Sequence, residues 1–110
     1  MVYDELLAAR VRKALARRKG VTEKKMFGGV GFLLGGNMGV GVWKDSLILR
    51  LGPDQYEGAL REPGVKPFDI TGRPMKGWVM VEPGGIEPDE DLRAWVRRAV
   101  TFTGTLPPKP

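Results

Sequence analysis

The fold is decided by residues 27–51, which read FGGVGFLLGGNMGVGVWKDSLILRL. Three short apolar runs are separated here by the turn formers Gly-Gly-Asn and Lys-Asp. This pattern predicts three antiparallel strands, at residues 27–34, 38–43 and 46–51, that are joined by hairpin turns. We therefore expect the first half of the chain to build an antiparallel sheet.

The spacing of the apolar side chains also predicts the register of these strands. A two-residue turn at residues 44–45 gives three apolar pairs on one face, which are Val42 with Leu47, Val40 with Leu49, and Met38 with Leu51. A three-residue loop at residues 35–37 extends that face with three further pairs, Leu34 with Met38, Phe32 with Val40, and Val30 with Val42. Because a shift of one residue would turn every side chain to the other face, we favour the three-residue loop.

The same register places four glycines side by side on the opposite face, namely Gly29, Gly31, Gly39 and Gly41. Glycine within a strand often marks a bulge, a bend or the close approach of another backbone. Two interpretations carry equal weight. A bare face could dock a partner chain or a flat ligand, or the room could serve strong twist or a packed segment of the same chain.

Helices and two further strands complete the expected sheet. Apolar residues at three- and four-residue spacing predict helices at residues 3–19, 53–62 and 89–103. Further strands are expected at residues 66–70 and 77–82. The order α-β-β-β-α-β-β-α predicts an α+β fold, with a single antiparallel sheet and helices packed on one of its faces.

Length and composition limit the chemistry. One domain over residues 1–110 is expected, with a proline-rich tail at residues 105–110. The chain contains no Cys and no His, which excludes disulfides, thiolate metal ligands and a Ser-His triad. Asp69 and Glu82 lie on adjacent predicted strands and could approach each other for acid–base work. Because no nucleophile or metal cluster accompanies them, we predict a protein that is not an enzyme and needs no cofactor or metal.

The ends of the chain and its hydropathy predict a cytoplasmic protein. No apolar run approaches the roughly 20 residues of a membrane span. Met1 is followed by the acids Asp4 and Glu5 rather than by the basic and apolar regions of a secretory signal. We expect no contact with a membrane.

Charge is distributed unevenly along the chain, which carries a net charge of +5. Residues 10–25 contain eight bases and one acid, whereas residues 82–91 contain five acids and no base. A nucleic-acid patch would comprise Arg10, Arg12, Lys13, Arg17, Arg18 and Lys19. We favour a second interpretation, in which the bases end one helix and the acids begin another, matching the helix dipoles. Head-to-tail contact between copies is a third.

Two other segments are candidate contact surfaces. In the loop at residues 69–78, Arg73 and Lys76 could hold a phosphate or carboxylate, with Trp78 as a stacking surface. The favoured alternative is a structured loop with Trp78 in the core. The pair at residues 24–25, two lysines beside Met26, is either the edge of an interface or the start of a strand whose charges deter edge pairing.

Four motifs occur in series: VTEKKMFGG at residues 21–29 with GF at 31–32, GNM at 36–38 with GV at 41–42, FD at 68–69 with TGRPMKGWV at 71–79, and the closing helix from Leu92 with TLPPK at 105–109. Together they resemble the TfoX/Sxy N-terminal domain family, in the same order and over residues 3–109.

The resemblance implies an α+β fold and a regulator rather than an enzyme. The best-known members of this family regulate natural competence together with the cyclic-AMP receptor protein. Matching the motifs gives Lys24, Lys25, Arg73 and Lys76 as the interaction surface. The two-domain regulators continue into a C-terminal domain, whereas this chain stops at Pro110, so we expect a stand-alone N-terminal domain.

These observations predict a cytoplasmic regulatory or adaptor domain that binds another protein, such as a transcription factor. The alternative is direct nucleic-acid binding through the basic segment from Arg10 to Lys25. Self-association into a homodimer through a sheet edge fits either function. The absence of Cys and the frequent Arg and Pro are typical of a thermostable protein.

Overall fold

The structure is a computed structural model that describes residues 3–26, 28–69, 72 and 75–108. Within these residues it contains three α-helices and six strands. In chain order they are α1 (Glu5–Ala14), β1 (Val21–Met26), β2 (Gly29–Leu34), β3 (Asn37–Trp43), β4 (Ser46–Arg50), α2 (Pro53–Leu60), β5 (Val65–Pro67), β6 (Trp78–Val81) and α3 (Asp89–Thr103), with a 3-10 turn at Pro83–Gly85.

The strands form one antiparallel sheet in the order β1-β2-β3-β4-β6-β5. The predicted α+β class and single antiparallel sheet are therefore confirmed. The predicted element order lacks one strand, β1. From the sequence, residues 24–25 are expected only to be the edge of an interface or the start of the following strand. The four residues from Thr22 to Lys25 are all exposed, so this edge strand has no apolar alternation by which the sequence could reveal it.

The hairpin between β2 and β3 differs from the expected one. The turn contains two residues, Gly35 and Gly36, and both have positive φ, at 60° and 84°, as a type I′ turn requires. The pairing then shifts from Leu33 opposite Met38 to Phe32 opposite Val40, which leaves one unpaired residue on β3. The expected three-residue loop and the pairing of Leu34 with Met38 are therefore wrong.

A β-bulge at Gly39 reconciles the short turn with the apolar pattern. Since the bulge inserts one residue into β3, the side chains that follow it change faces. The predicted pairs Phe32–Val40 and Val30–Val42 consequently form, despite the different turn. 

The β3–β4 hairpin forms two of its three expected apolar pairs. Val42 lies opposite Leu47 and Val40 opposite Leu49. The third pair, Met38 with Leu51, does not form because Leu51 lies beyond the end of β4 and the bulge has turned Met38 to the other face.

Helices α1 and α3 pack on one face of the sheet, which we call the inner face. Its buried core includes Leu7, Val11, Phe32, Val40, Val42, Leu47, Leu49, Val79, Val81, Leu92 and Val96. Asp4 caps α1, since its Oδ1 accepts hydrogen bonds from the backbone N–H groups of Leu6 and Leu7, at 2.9 and 3.0 Å. Packing on one face is as predicted.

The predicted element bounds are accurate for α3, one residue too short for β3 and too long for the other predicted elements. α3 begins and ends at the predicted residues, 89 and 103. α1 ends at Ala14 rather than Lys19. The strand expected at residues 66–70 is the three-residue β5, and its predicted end at Ile70 lies outside the described residues.

Replacing Gly39 with alanine tests the packing at the bulge. A Cβ on Gly39 would lie 2.6 Å from Thr103 Oγ1 and 2.9 Å from Leu34 Cδ1, so a neighbour must shift. Because Thr103 is buried and donates to the carbonyl of Ala99, the shift is costly. Gly39→Ala should lower the free energy of unfolding by about 1–3 kcal/mol, measured by urea denaturation with tryptophan fluorescence.

Gly58→Ala on α2 is the matched control. A Cβ added there meets nothing within 4 Å. Because alanine is the better helix former, this variant should raise the free energy of unfolding by about 0.5–1 kcal/mol. A Gly39→Ala protein as stable as the wild type would contradict the close approach of β3 and α3.

Candidate interaction surfaces

The outer face of the sheet, opposite α1 and α3, is not the bare glycine surface that the sequence suggested. Gly31 lies opposite Gly41, and both are buried. A Cβ on Gly31 would lie 3.1 Å from Met26 Cε and 3.2 Å from Met38 Cε. A Cβ on Gly41 would lie 2.8 Å from Met38 Cε. The glycines therefore make room for two methionine side chains that lie over them.

The other two glycines do not join this surface in the expected way. A Cβ on Gly39 would approach Thr103 of α3, so this position faces inward as a consequence of the bulge. A Cβ on Gly29 would collide with the carbonyl oxygen of Val42 on the neighbouring strand. The expectation of four glycines side by side on one open face is therefore wrong, and the interpretation that segments of the same chain need the room is confirmed for these positions.

An apolar cluster covers the outer face instead. Ile48 and Phe68 are buried there, although they lie outside the inner core. The ring centroids of Phe68 and Trp78 are 6.1 Å apart, which is within the range of favourable aromatic contact. The half-buried members of the outer face are Met26, Leu33, Met38, Trp43, Trp78 and Met80. Trp78 thus belongs to an apolar cluster, as the favoured alternative for its loop implied, but the cluster is not the inner core.

The charged strand residues on the outer face are all cations. By the strand register they are Lys24, Arg50 and Lys66. Lys66 is paired with Glu82, which follows β6, at 3.1 Å. The Arg50 guanidinium lies 5.3 Å from the Trp78 ring centroid, in the range of a cation–π contact. The apolar surface is therefore bordered mainly by positive charge.

The candidate residues from the family motifs do not form one patch. Lys24 lies opposite Gly31 and Lys25 opposite Val30, so the two side chains belong to opposite faces of the edge strand β1. Both are exposed. Lys76 is also exposed, while Arg73 lies outside the described residues. The lysines at β1 are placed where charge deters pairing with another sheet edge.

The one candidate acid–base pair is separated by the sheet register. Val65 lies opposite Val81 and Pro67 opposite Val79, so Glu82 follows one end of the β5–β6 pair. Asp69 extends beyond the other end. The prediction that these carboxylates could approach each other is wrong, because antiparallel pairing carries them apart.

The basic segment is divided by ion pairs. Arg10 Nε donates to Asp89 Oδ1 at 2.9 Å, and its Nη2 donates to the carbonyl of Ile86 at 2.6 Å. Arg12 holds Glu23 through two hydrogen bonds, at 2.6 and 2.8 Å. These two members of the predicted nucleic-acid patch are therefore engaged within the molecule.

Three of the five acids of residues 82–91 lie where the helix-dipole interpretation requires them. Asp89, Glu90 and Asp91 form the first turn of α3, and Arg12 and Lys13 lie in the last turn of α1. Opposite charges at these helix ends are stabilising. The pair between Arg10 and Asp89 adds a direct contact between the two segments.

Most of the bases at residues 10–19 and one base of α3 surround a groove between the end of α1 and the flank of α3. We call this the basic groove, and its cations are Arg10, Lys13, Arg17, Arg18, Lys19 and Arg93. The sequence did not indicate Arg93. The available signal was its position four residues after Asp89, which places the two side chains on the same side of a helix. Likewise, the packing of Met26 and Met38 over Gly31 and Gly41 could not be predicted, because nothing in the local sequence marks these residues as neighbours.

The hydrogen bonds between Arg12 and Glu23 shift both pKa values. They raise the pKa of the Arg12 guanidinium and lower the pKa of the Glu23 carboxyl from its usual 4.5, because each charged form is stabilised by the other. Both groups stay charged near neutral pH, and Arg12 remains bound to Glu23.

Two structural findings concern membranes and metals. Among the described residues, no helix has the length and apolar character that crossing a bilayer demands. Within the same part of the chain, the acidic side chains nowhere gather in a group of three or more that could hold a metal ion.

The fold and these surfaces define a small α+β domain with an apolar sheet face and a separate basic groove. Compared with family models, residues 13–103 match the TfoX N-terminal domain, and the chain belongs to this family. The resemblance inferred from the four sequence motifs is thereby confirmed. No curated protein and no solved structure matches the chain.

The ion pair between Arg12 and Glu23 gives a prediction for pH dependence. Because the folded-state pKa of Glu23 lies below 4.5, the pair stabilises the fold above about that pH and loses this effect as the pH falls through the lowered pKa. In Arg12→Gln the pKa of Glu23 should return towards 4.5, as measured by carboxyl NMR titration.

The control is Lys13→Gln, which removes one positive charge from the neighbouring exposed position. It should leave the pKa of Glu23 close to the wild-type value, since Lys13 makes no contact with that carboxylate among the described residues. Equal shifts in the two variants would mean that general charge, not the hydrogen-bonded pair, lowers the pKa.

Proposed function

We propose that this domain is a non-enzymatic regulatory or adaptor domain that binds a protein partner through the outer face of its sheet. The observation that carries the proposal is the apolar cluster on that face. Ile48 and Phe68 are buried beneath half-buried methionine and tryptophan side chains, while both long helices pack on the opposite face. A partner would cover the outer face of the sheet as α1 and α3 cover its inner face.

The residue types on the outer face suit a protein interface. Methionine and aromatic residues are enriched in the cores of such interfaces. Methionine side chains are flexible and polarizable, so they adapt to the shape of a partner. Met26 and Met38 already fill the space over Gly31 and Gly41, and Met80 extends the surface on β6.

Charge on the outer face specifies the chemistry of the partner. The surface combines apolar side chains with the cations Lys24 and Arg50. Electrostatic complementarity favours a segment that presents apolar residues flanked by acidic ones. We therefore commit to an acidic, amphipathic protein segment as the occupant.

Membership of the TfoX N-terminal domain family supports a role in transcription. The resemblance stated above implies regulators of natural competence that act with a transcription factor. We propose a partner of that class and a competence-type regulatory role in the cytoplasm. The absence of Cys and His and the separation of Asp69 from Glu82 support a function without catalysis or a cofactor.

Met80→Glu tests the outer face. The variant places an acidic group at a half-buried position of the proposed contact, on the strand next to Ile48. It should weaken binding of the partner at least about tenfold, because it removes apolar contact and repels acidic groups. Ala94→Glu, at an exposed position of α3, introduces the same charge and should change affinity less than about twofold.

The partner is first identified by photo-crosslinking from Leu33 on the outer face, with Ala94 as the control position. The identified protein is then purified and its affinity for both variants is measured by calorimetry. Urea denaturation establishes that each variant is folded. The proposal is wrong if the purified partner binds Met80→Glu as tightly as the wild type, or if crosslinks arise only from position 94.

A further inference from the structure

The basic groove is a second surface, on the opposite side of the molecule from the outer face. It consists of two cavities, of about 530 and 800 Å³, which both have Ala14 and Arg17 in their walls. The first cavity reaches Arg93 on α3, and the second reaches the segment after α1. The cavities are therefore adjacent along the α1–α3 contact, with Ala14 and Arg17 lining both.

Positive charge in this groove is largely uncompensated. One acid lines it, Asp89, and its carboxylate is held by Arg10. Among the described residues, no carboxylate lies within 4.0 Å of the other five cations, which are Lys13, Arg17, Arg18, Lys19 and Arg93. The two adjacent cavities are therefore surrounded by five cations that form no ion pair among the described residues.

We propose that the basic groove binds the phosphate backbone of duplex nucleic acid. Lys and Arg that neutralise phosphates release condensed counterions, which drives binding without reading the sequence. The groove differs from the predicted patch at residues 10–25. It excludes Arg12, which Glu23 holds, and it gains Arg93 from α3.

The side chains in the groove favour a duplex over a single strand. Proteins that bind single strands combine basic grooves with aromatic side chains on which bases stack. Among the described residues that line the two cavities, none is aromatic. The cations can reach phosphates, whereas the described lining residues provide no aromatic ring on which an unstacked base could stack.

The same comparison favours nucleic acid over an acidic protein. The aromatic and methionine side chains that dominate protein interfaces lie on the outer face, not in the groove. The two surfaces therefore have different chemistry, and the groove is suited to a partner recognised through charge alone.

The test is fluorescence anisotropy of the full chain with a labelled duplex of about 20 base pairs over a salt series. With five phosphate contacts, a plot of log affinity against log salt should have a slope of up to about −4.5. Arg17→Glu/Arg93→Glu reverses two charges on opposite walls of the groove and should weaken binding at least about tenfold at moderate salt.

The matched control is Lys25→Glu/Arg61→Glu, which changes the net charge by the same amount at two exposed positions that do not line the groove. It should weaken binding less than about threefold. Circular dichroism verifies folding, and Arg17→Gln/Arg93→Gln replaces the reversed pair if that variant does not fold.

Several outcomes would overturn the proposal. The first is the absence of duplex binding at about 100 mM salt. The second is an equal loss of affinity in the groove variant and the control, which would mean that the net charge of the protein alone determines binding. Tighter binding of a single strand than of the duplex would exclude the duplex backbone as the ligand. Competition by polyglutamate as effective as competition by duplex would assign the groove to an acidic protein.

Discussion

The apolar side chains of β2 and β3 have to face the helices on both strands, although the turn between them has only two residues. A simple two-residue turn would pair Phe32 with Gly39 and send Val40 to the outer face. The bulge at Gly39 absorbs one residue of β3, so Val40 and Val42 return to the inner face. Because α3 packs against this part of β3, the close approach of Gly39 to Thr103 also sets how the helix lies on the sheet.

The bulge has a second consequence, on the outer face. It turns Met38 away from the core and over Gly31 and Gly41, where a Cβ would crowd the methionine side chain. Glycine weakens a strand, so this arrangement has a cost in stability that the methionine contacts offset in part. The result is an adaptable apolar layer above Ile48. The charged strand residues on this face are cations, and the combination is the basis of the proposed protein contact.

The sequence predicts what depends on local periodicity and misses what depends on distant contacts. The bounds of α3 are predicted correctly because its apolar stripe recurs at helical spacing, and four of the six predicted apolar pairs of β2 to β4 form because they follow from alternation. β1 was missed because its exposed residues do not alternate. The pairing of Arg10 with Asp89 joins residues 79 positions apart, so no local pattern reveals which bases of residues 10–25 are neutralised or that Arg93 joins them.

The central claim is that the outer face and the basic groove are separate sites that recognise different partners. It is tested by NMR on protein labelled with 15N in the backbone and 13C in the methionine methyl groups, titrated with duplex DNA. We expect the amide signals around Arg17 and Arg93 to shift in proportion to bound duplex, while the methyl signals of Met26, Met38 and Met80 remain in place. Shifts confined to the methionine methyl groups would contradict this claim.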